Sequence, residues 1–337
     1  MPVIVHVLST LLQLLGLVVV IGGVVTSIGL IPRTDSDSGK LRTQIAFLLG
    51  PALLTLTLGV GLVLIVRSSM MGGESFSQLL PVLPVVLLQT HFGFMWLVRF
   101  SGLVFLWVSW GLLILTKKNY FAALMFCVAA LIAWTISGVG HSAGLNGFSW
   151  RQWVDWMHII AASLWGGSMI IVALTLSPLA RGNRLFLTIS KRLSHLAAGA
   201  FAAVLATGII NTEHQLHAVS DFVTTDYGRI LLLKLVFVAA MLGCAATNRL
   251  LFLPRLQDAG SQGAGFSVID SKIHPISLAT PHDRSNPSVS FLRLLRLEIL
   301  FMIGVLTCVA VLRHGPPPPH HHRLMVTKNI TKSVEGV

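Results

Sequence analysis

Charge is scarce in this chain: only 11% of its 337 residues are Asp, Glu, Lys or Arg. Soluble domains carry roughly 25%, so a surface wetted all round is excluded. Cysteine is scarce too. Cys127, Cys244 and Cys308 each sit inside a separate apolar run, and no C-x-x-C pair occurs. That rules out a disulfide framework and a cysteine zinc site, and leaves three small apolar side chains. Nucleotide loops, a nucleophile elbow and H-E-x-x-H are all missing, as is any soluble catalytic domain, so an enzyme is not expected. The net charge of +12 comes without a basic arm interleaved with aromatics, which argues against a nucleic-acid partner.

Apolar residues make up 54% of the chain, the composition of a polytopic membrane protein. Crossing the hydrocarbon layer as a helix takes about 20 such residues. That ruler predicts an all-α transmembrane bundle of eight spans: 3–31, 43–66, 94–116, 120–139, 153–176, 194–211, 228–252 and 292–312. The first run is too long for a signal-peptide core and lacks a basic n-region, so it is read as a retained span. The stretch 79–90 is apolar but short and carries Pro81 and Pro84, which suits an interfacial segment or outer loop. Residues 254–290, rich in Gly, Ser and Pro, are expected to form a flexible cytoplasmic loop. The bundle would then occupy 1–313, and 314–337, with four prolines and His320 to His322, would be a disordered tail.

Lys and Arg concentrate in alternate loops: Arg33, Lys40 and Arg42; Lys117 and Lys118; Arg181, Arg184, Lys191 and Arg192; and Arg249 to Arg296. The positive-inside rule puts those loops in the cytoplasm and both termini outside. Sorted on that topology, His6, His91, His141, His158, His214, His217, His314 and His320 to His322 fall on or near the outer face. Only His195, His274 and His282 fall inside. Met70, Met71, Met95 and Met157 add to the outer side.

One stretch, Gly140 to Pro178, stands apart from this apolar background. Asp155 and His158 lie three apart, on one helical face. A neutral imidazole there can bind a metal through one nitrogen while Asp155 holds the other. His141 sits among glycines and small residues in G-V-G-H-S-A-G, where backbone can approach a ligand closely. His91 and Met95, four apart, pair imidazole with thioether, a combination suited to copper. His214 and His217 form H-x-x-H beside Glu213, and Met157 adjoins His158. Trp150, Trp153 and Trp156 read as an interfacial belt, and Gly22-Gly23 and Gly166-Gly167 as close-packing steps. Arg99, Arg229 and Lys234 are expected to snorkel to the outer headgroups, and Glu298 to pair with Arg249, Arg293 or Arg296.

The motif D-W-M-H-I-I-A-A-S-L-W-G-G (Asp155 to Gly167) resembles the signature helix of the copper resistance protein D (CopD) family. Further matches follow in order: T-H-F-G-F-M-W-L-V-R from Thr90, G-H-S-A from Gly140, A-T-G-I-I-N from Ala206, D-Y-G-R-I-L-L-L-K-L from Asp226, T-N-R from Thr247 and L-R-L-E from Leu295. They place a CopD-like core at about 90–312. His91 and Asp226 depart from the family pattern, which has Arg and Pro there. The resemblance implies a bacterial inner-membrane protein that moves copper ions or confers copper tolerance, with a separate CopC-like periplasmic copper-binding partner. His141 and His158 fall on its motif positions. Two alternatives stay open: a b-type haem protein in which His158 pairs with His141 or His91, and a metal-free assembly or scaffold protein.

Overall fold

The computed structural model describes residues 3–33, 36–72, 76–139, 149–176, 184–215, 220–257 and 287–314. Ten helices and two π turns make up the described residues, and no strand occurs among them. They are α1 (Val3–Val25, continued by a π turn, Thr26–Leu30), α2 (Ser36–Gly72), α3 (Phe76–Gln89), α4 (His91–Thr116) and α5 (Asn119–Ser137). Then follow α6 (Trp150–Thr175), α7 (Arg184–Gln215), the short α8 (Asp221–Thr224), α9 (Asp226–Thr247, continued by a π turn, Asn248–Phe252) and α10 (Pro287–Leu312). Eight of them are long and apolar enough to cross a membrane, as the composition predicts.

Boundaries moved where the apolar ruler stops before the helix does. The expected span 194–211 is part of a helix running from Arg184 to Gln215. Its first turns carry Arg184, Lys191 and Arg192, which end an apolar count, yet Leu185, Phe186, Ile189 and Leu193 form a buried stripe at helical spacing. Likewise α6 starts at Trp150, where the Ser149 side chain accepts a hydrogen bond from the Gln152 backbone N–H. His158 therefore lies eight residues, about 12 Å, along the helix from Trp150. The Pro81/Pro84 segment is the 14-residue helix α3, too short to span. The expected linker is helical at both its ends, up to residue 257 and from 287, and its remainder lies outside the described residues, as does the tail beyond 314.

The packing has the polarity of a molecule dissolved in lipid. Ser9, Gln13, Thr26, Ser163 and Ser168 are buried, while Phe47, Phe94, Phe105, Val236 and Leu300 lie exposed on the outside. Hydroxyls on these helices bond back to their own backbone, as Thr26 does to the Gly22 carbonyl and Ser163 to that of Ile159, both at 2.7 Å. In hydrocarbon every polar group must find such a partner.

At the centre α1 packs against α2, α5, α6 and α10. Its contact with α6 is backbone on backbone. A Cβ on Gly22 would fall inside the Gly167 backbone, and a Cβ on Gly167 would strike the Val18 carbonyl. The expectation of close packing at both glycine steps thus acquires a partner: each step serves the other.

Arg99 reverses an expectation. Only 2% exposed, it does not snorkel but reaches from α4 into α5. Its Nε donates to Thr135 Oγ1 and its terminal nitrogen to the Thr135 carbonyl, each at 3.0 Å. The tryptophan belt is likewise divided: Trp150 and Trp153 stay about half exposed, while Trp156 Nε1 donates to the Ala130 carbonyl at 2.8 Å and ties α6 to α5.

Gly167→Val should lower the thermal unfolding midpoint of the purified protein sharply, with a cost of about 3 kcal/mol or more, because backbone rather than a flexible side chain must yield. Gly199→Val is the control. A Cβ at Gly199 meets nothing within 4 Å, so its midpoint should stay within error of the parent protein.

Candidate metal site at one end of the bundle

The up-and-down course of the spans brings several expected residues to one end. His6 lies near the start of α1, His91 starts α4, Asp155 and His158 lie in the first turns of α6, and Arg313 and His314 follow α10. The contacts between them confirm a shared level: Arg313 reaches the Asp155 carboxylate at 3.7 Å, and His314 Nε2 lies 2.9 Å from Thr10 Oγ1. His195, on α7, belongs to the other half of the bundle.

His158 sits between α6 and α7, its Nδ1 at 2.9 Å from Thr207 Oγ1. The hydroxyl carries one proton, and its closest acceptor is the Ala203 carbonyl at 2.6 Å. Toward the imidazole Thr207 therefore accepts, which places the ring proton on Nδ1 and the lone pair on Nε2. A hydroxyl here performs the tautomer-fixing role expected of a carboxylate.

Asp155 does not take that role. Its side chain is engaged by Arg313, with Lys234 of α9 also bearing on it electrostatically. The three-residue spacing puts Asp155 and His158 on one face, but their neighbours on that face differ: α10 claims the carboxylate and α7 the imidazole. The sequence gives no sign of this, because Arg313 lies just past the last expected span, 292–312.

The other expected ligands are dispersed. His91 Nε2 lies 3.4 Å from the Gly138 carbonyl, at the far end of α5. Met95 is half-buried one turn further along α4. Met157 is 51% exposed and points away from His158. His141 and His217 lie outside the described residues, as does the side chain of His214. Among the described residues no group of three or more His, Cys, Asp or Glu side chains converges on one point.

A pairing that sequence reasoning missed does appear. The rings of His6 and His314 stand edge to face with centroids 5.4 Å apart. They are 308 residues apart in the chain, and only the packing of α1 on α10 brings them together. The loop charges sort both to the outer side, but nothing in the sequence links them.

Burial holds the His314 imidazole below its ordinary value of 6.5, with the nearby charges of His6 and Arg67 acting in the same direction. The folded protein thus takes up this proton less readily than the unfolded chain. The associated stability is full above the ordinary value and is lost as pH falls below it. Thermal unfolding followed from about pH 8 down to about pH 5 should therefore show a falling midpoint. His314→Gln should flatten that fall; an unchanged slope would remove His314 from the account.

Comparison with known proteins now bears on this arrangement. Residues 187–312 match the family described as copper resistance protein D, and residues 1–153 match the family described as copper resistance protein D-like, N-terminal domain. The second match reaches well before residue 90, where the motif resemblance begins. Residues 154–186, which hold Asp155, His158 and Gly167, lie between the two matched segments. The chain is 28% identical over 243 residues to copper resistance protein D of Pseudomonas syringae pv. tomato, covering 68% of this chain and 76% of the relative. It is 28% identical over 215 residues to the inner membrane protein YebZ of Escherichia coli strain K12, covering 62% and 72%. No solved structure matches it significantly. With both family segments matched in order along eight membrane-length helices, the chain belongs to the copper resistance protein D family of multi-pass inner-membrane proteins.

Proposed function

We propose that this protein carries copper across the bacterial inner membrane, and so bears on copper tolerance, by admitting the ion at the histidine-bearing end of the bundle. The observation that supports this most directly is the state of His158: Thr207 fixes its tautomer and leaves the Nε2 lone pair for a ligand. Imidazole and thioether suit copper in either common oxidation state, softer donors favouring Cu(I). His141 and His91 are the proposed imidazole helpers, and Met95 the thioether. His141 follows Val139 by two residues, and Val139 adjoins the Gly138 carbonyl that meets His91. Met157 is better suited to first capture than to the buried step, given its exposure.

The loop charges orient this end outward, with both termini outside. A separate CopC-like periplasmic copper-binding protein is the proposed source of the ion. Asp155 is given a different task from the one its spacing suggests: paired with Arg313, it fastens the end of α10 against α6 beside the site.

Copper binding to the purified full-length protein tests the reading. His158→Ala should weaken it at least tenfold, about 1.4 kcal/mol, while His195→Ala, in the other half of the bundle, should leave it unchanged. Equal affinity in parent and His158→Ala overturns the proposed site. A haem absorption band in the protein as purified would favour the redox alternative, and binding of neither copper nor haem the scaffold one.

A further inference from the structure

The opposite half of the bundle holds a second polar site. Between α6, α7, α9 and α10 lies a cavity of about 270 Å³. Most of its wall is apolar, but Trp165, Ser190, Asn248 and Glu298 all contribute to it. These four side chains are buried, none more than 5% exposed. Asn248 Nδ2 donates to Glu298 Oε1 at 2.9 Å. Glu298 had been expected to pair with an arginine; a neutral amide takes that place.

Of the seven buried side-chain atoms without a hydrogen-bond partner among the described residues, three belong to these side chains: Trp165 Nε1, Ser190 Oγ and Asn248 Oδ1. One such atom is a rare event in a folded protein, costing about 1–3 kcal/mol. Three of them on side chains grouped around one cavity beside a carboxylate mark a cluster of unsatisfied polarity. Asn248 also opens the π turn that ends α9, and such turns recur at functional sites.

The donor set identifies the chemistry. Glu298, Asn248 Oδ1 and Ser190 Oγ offer oxygen, one of them a carboxylate that no cation approaches to ion-pair distance among the described residues. A buried carboxylate in a membrane needs compensating positive charge. Hard oxygen donors suit hard cations rather than copper, and the single carboxylate on this wall balances a single positive charge. A water takes up about 30 Å³ of liquid volume, so the cavity can hold a small cation with part of its hydration. The charged or titratable groups facing Glu298 from the packed helices are Arg249, on the π turn, and Cys244 of α9. Arg249 is turned to the Ser194 carbonyl at 3.3 Å, and α6 and α7 add no titratable side chain to the wall.

We propose that this cavity is a binding site for a small hard monovalent cation, a proton or a sodium ion, held by Glu298 with Asn248 and Ser190. The site is separate from the histidine end and stands whether or not the chain carries copper. It lies along the same α6–α7 seam: Trp165 is seven residues, about 10 Å, beyond His158 on α6.

The test uses copper-free full-length protein. Radioactive sodium binding is measured at constant ionic strength, and the infrared carbonyl band of a protonated carboxylic acid is followed as pH is varied. Saturable binding of one sodium per chain, reduced more than tenfold in Glu298→Gln, identifies sodium. No sodium binding, with a titrating acid band that Glu298→Gln abolishes, identifies the proton. Ser190→Ala, which keeps the carboxylate and removes one small hydroxyl, should weaken sodium binding several-fold or shift the midpoint of the band, and covers the case in which Glu298→Gln does not fold. Sodium binding and acid band both absent, or both unmoved by the substitutions, overturn the proposal.

Discussion

The approach of Gly22 to Gly167 is the contact on which the rest of this bundle depends. Two helices whose backbones touch have no freedom to slide, because interposing even one methyl group would force them apart. With one face of α6 fixed on α1, its other side is presented to α7. His158 meets Thr207 there, and Trp165 and Met169 line the cavity further along. Fixing α1 also sets α10, whose end brings Arg313 to Asp155 and His314 to Thr10 and His6. Lipid gives no hydrophobic drive between helices, so close packing of this kind must supply the specificity.

Several polar side chains inside the bundle are paired across helices. Arg99 is satisfied by Thr135, Asp155 by Arg313, and Trp156 by the Ala130 carbonyl. Each pairing crosses between helices, so each also fixes register. Among the described residues, Gln13, Ser38, Ser68 and Gln152 each keep one buried side-chain atom unpaired, and Trp165, Ser190 and Asn248, near Glu298, do the same. The two ends of the bundle thus differ in kind: imidazoles gather at one, and a carboxylate with no ion-pair partner among the described residues lies in the other half.

Much of the architecture was legible in the sequence, because runs of about 20 apolar residues have few alternatives to a membrane helix. Such runs account for all eight membrane-length helices, and the glycine steps on α1 and α6 mark packing surfaces in the sequence itself. The site was legible only in part. Spacing along a helix says which residues share a face but not which neighbour that face meets. Asp155 and His158 therefore looked like a pair and proved to have separate partners, Arg313 and Thr207. His6 and His314 sit at opposite ends of the chain, and no local pattern joins them. Arg293 and Arg296 shortly before Glu298 suggest an arginine partner, but helical geometry turns it to Asn248 instead.

The central claim is that copper passes through this protein by way of the histidine-bearing end. Its most direct test is radioactive copper flux in vesicles reconstituted with the full-length protein. Flux above that of protein-free vesicles, saturating with copper and abolished by His158→Ala, is the predicted result. Flux no greater than in protein-free vesicles, or one that His158→Ala leaves intact, would contradict the account.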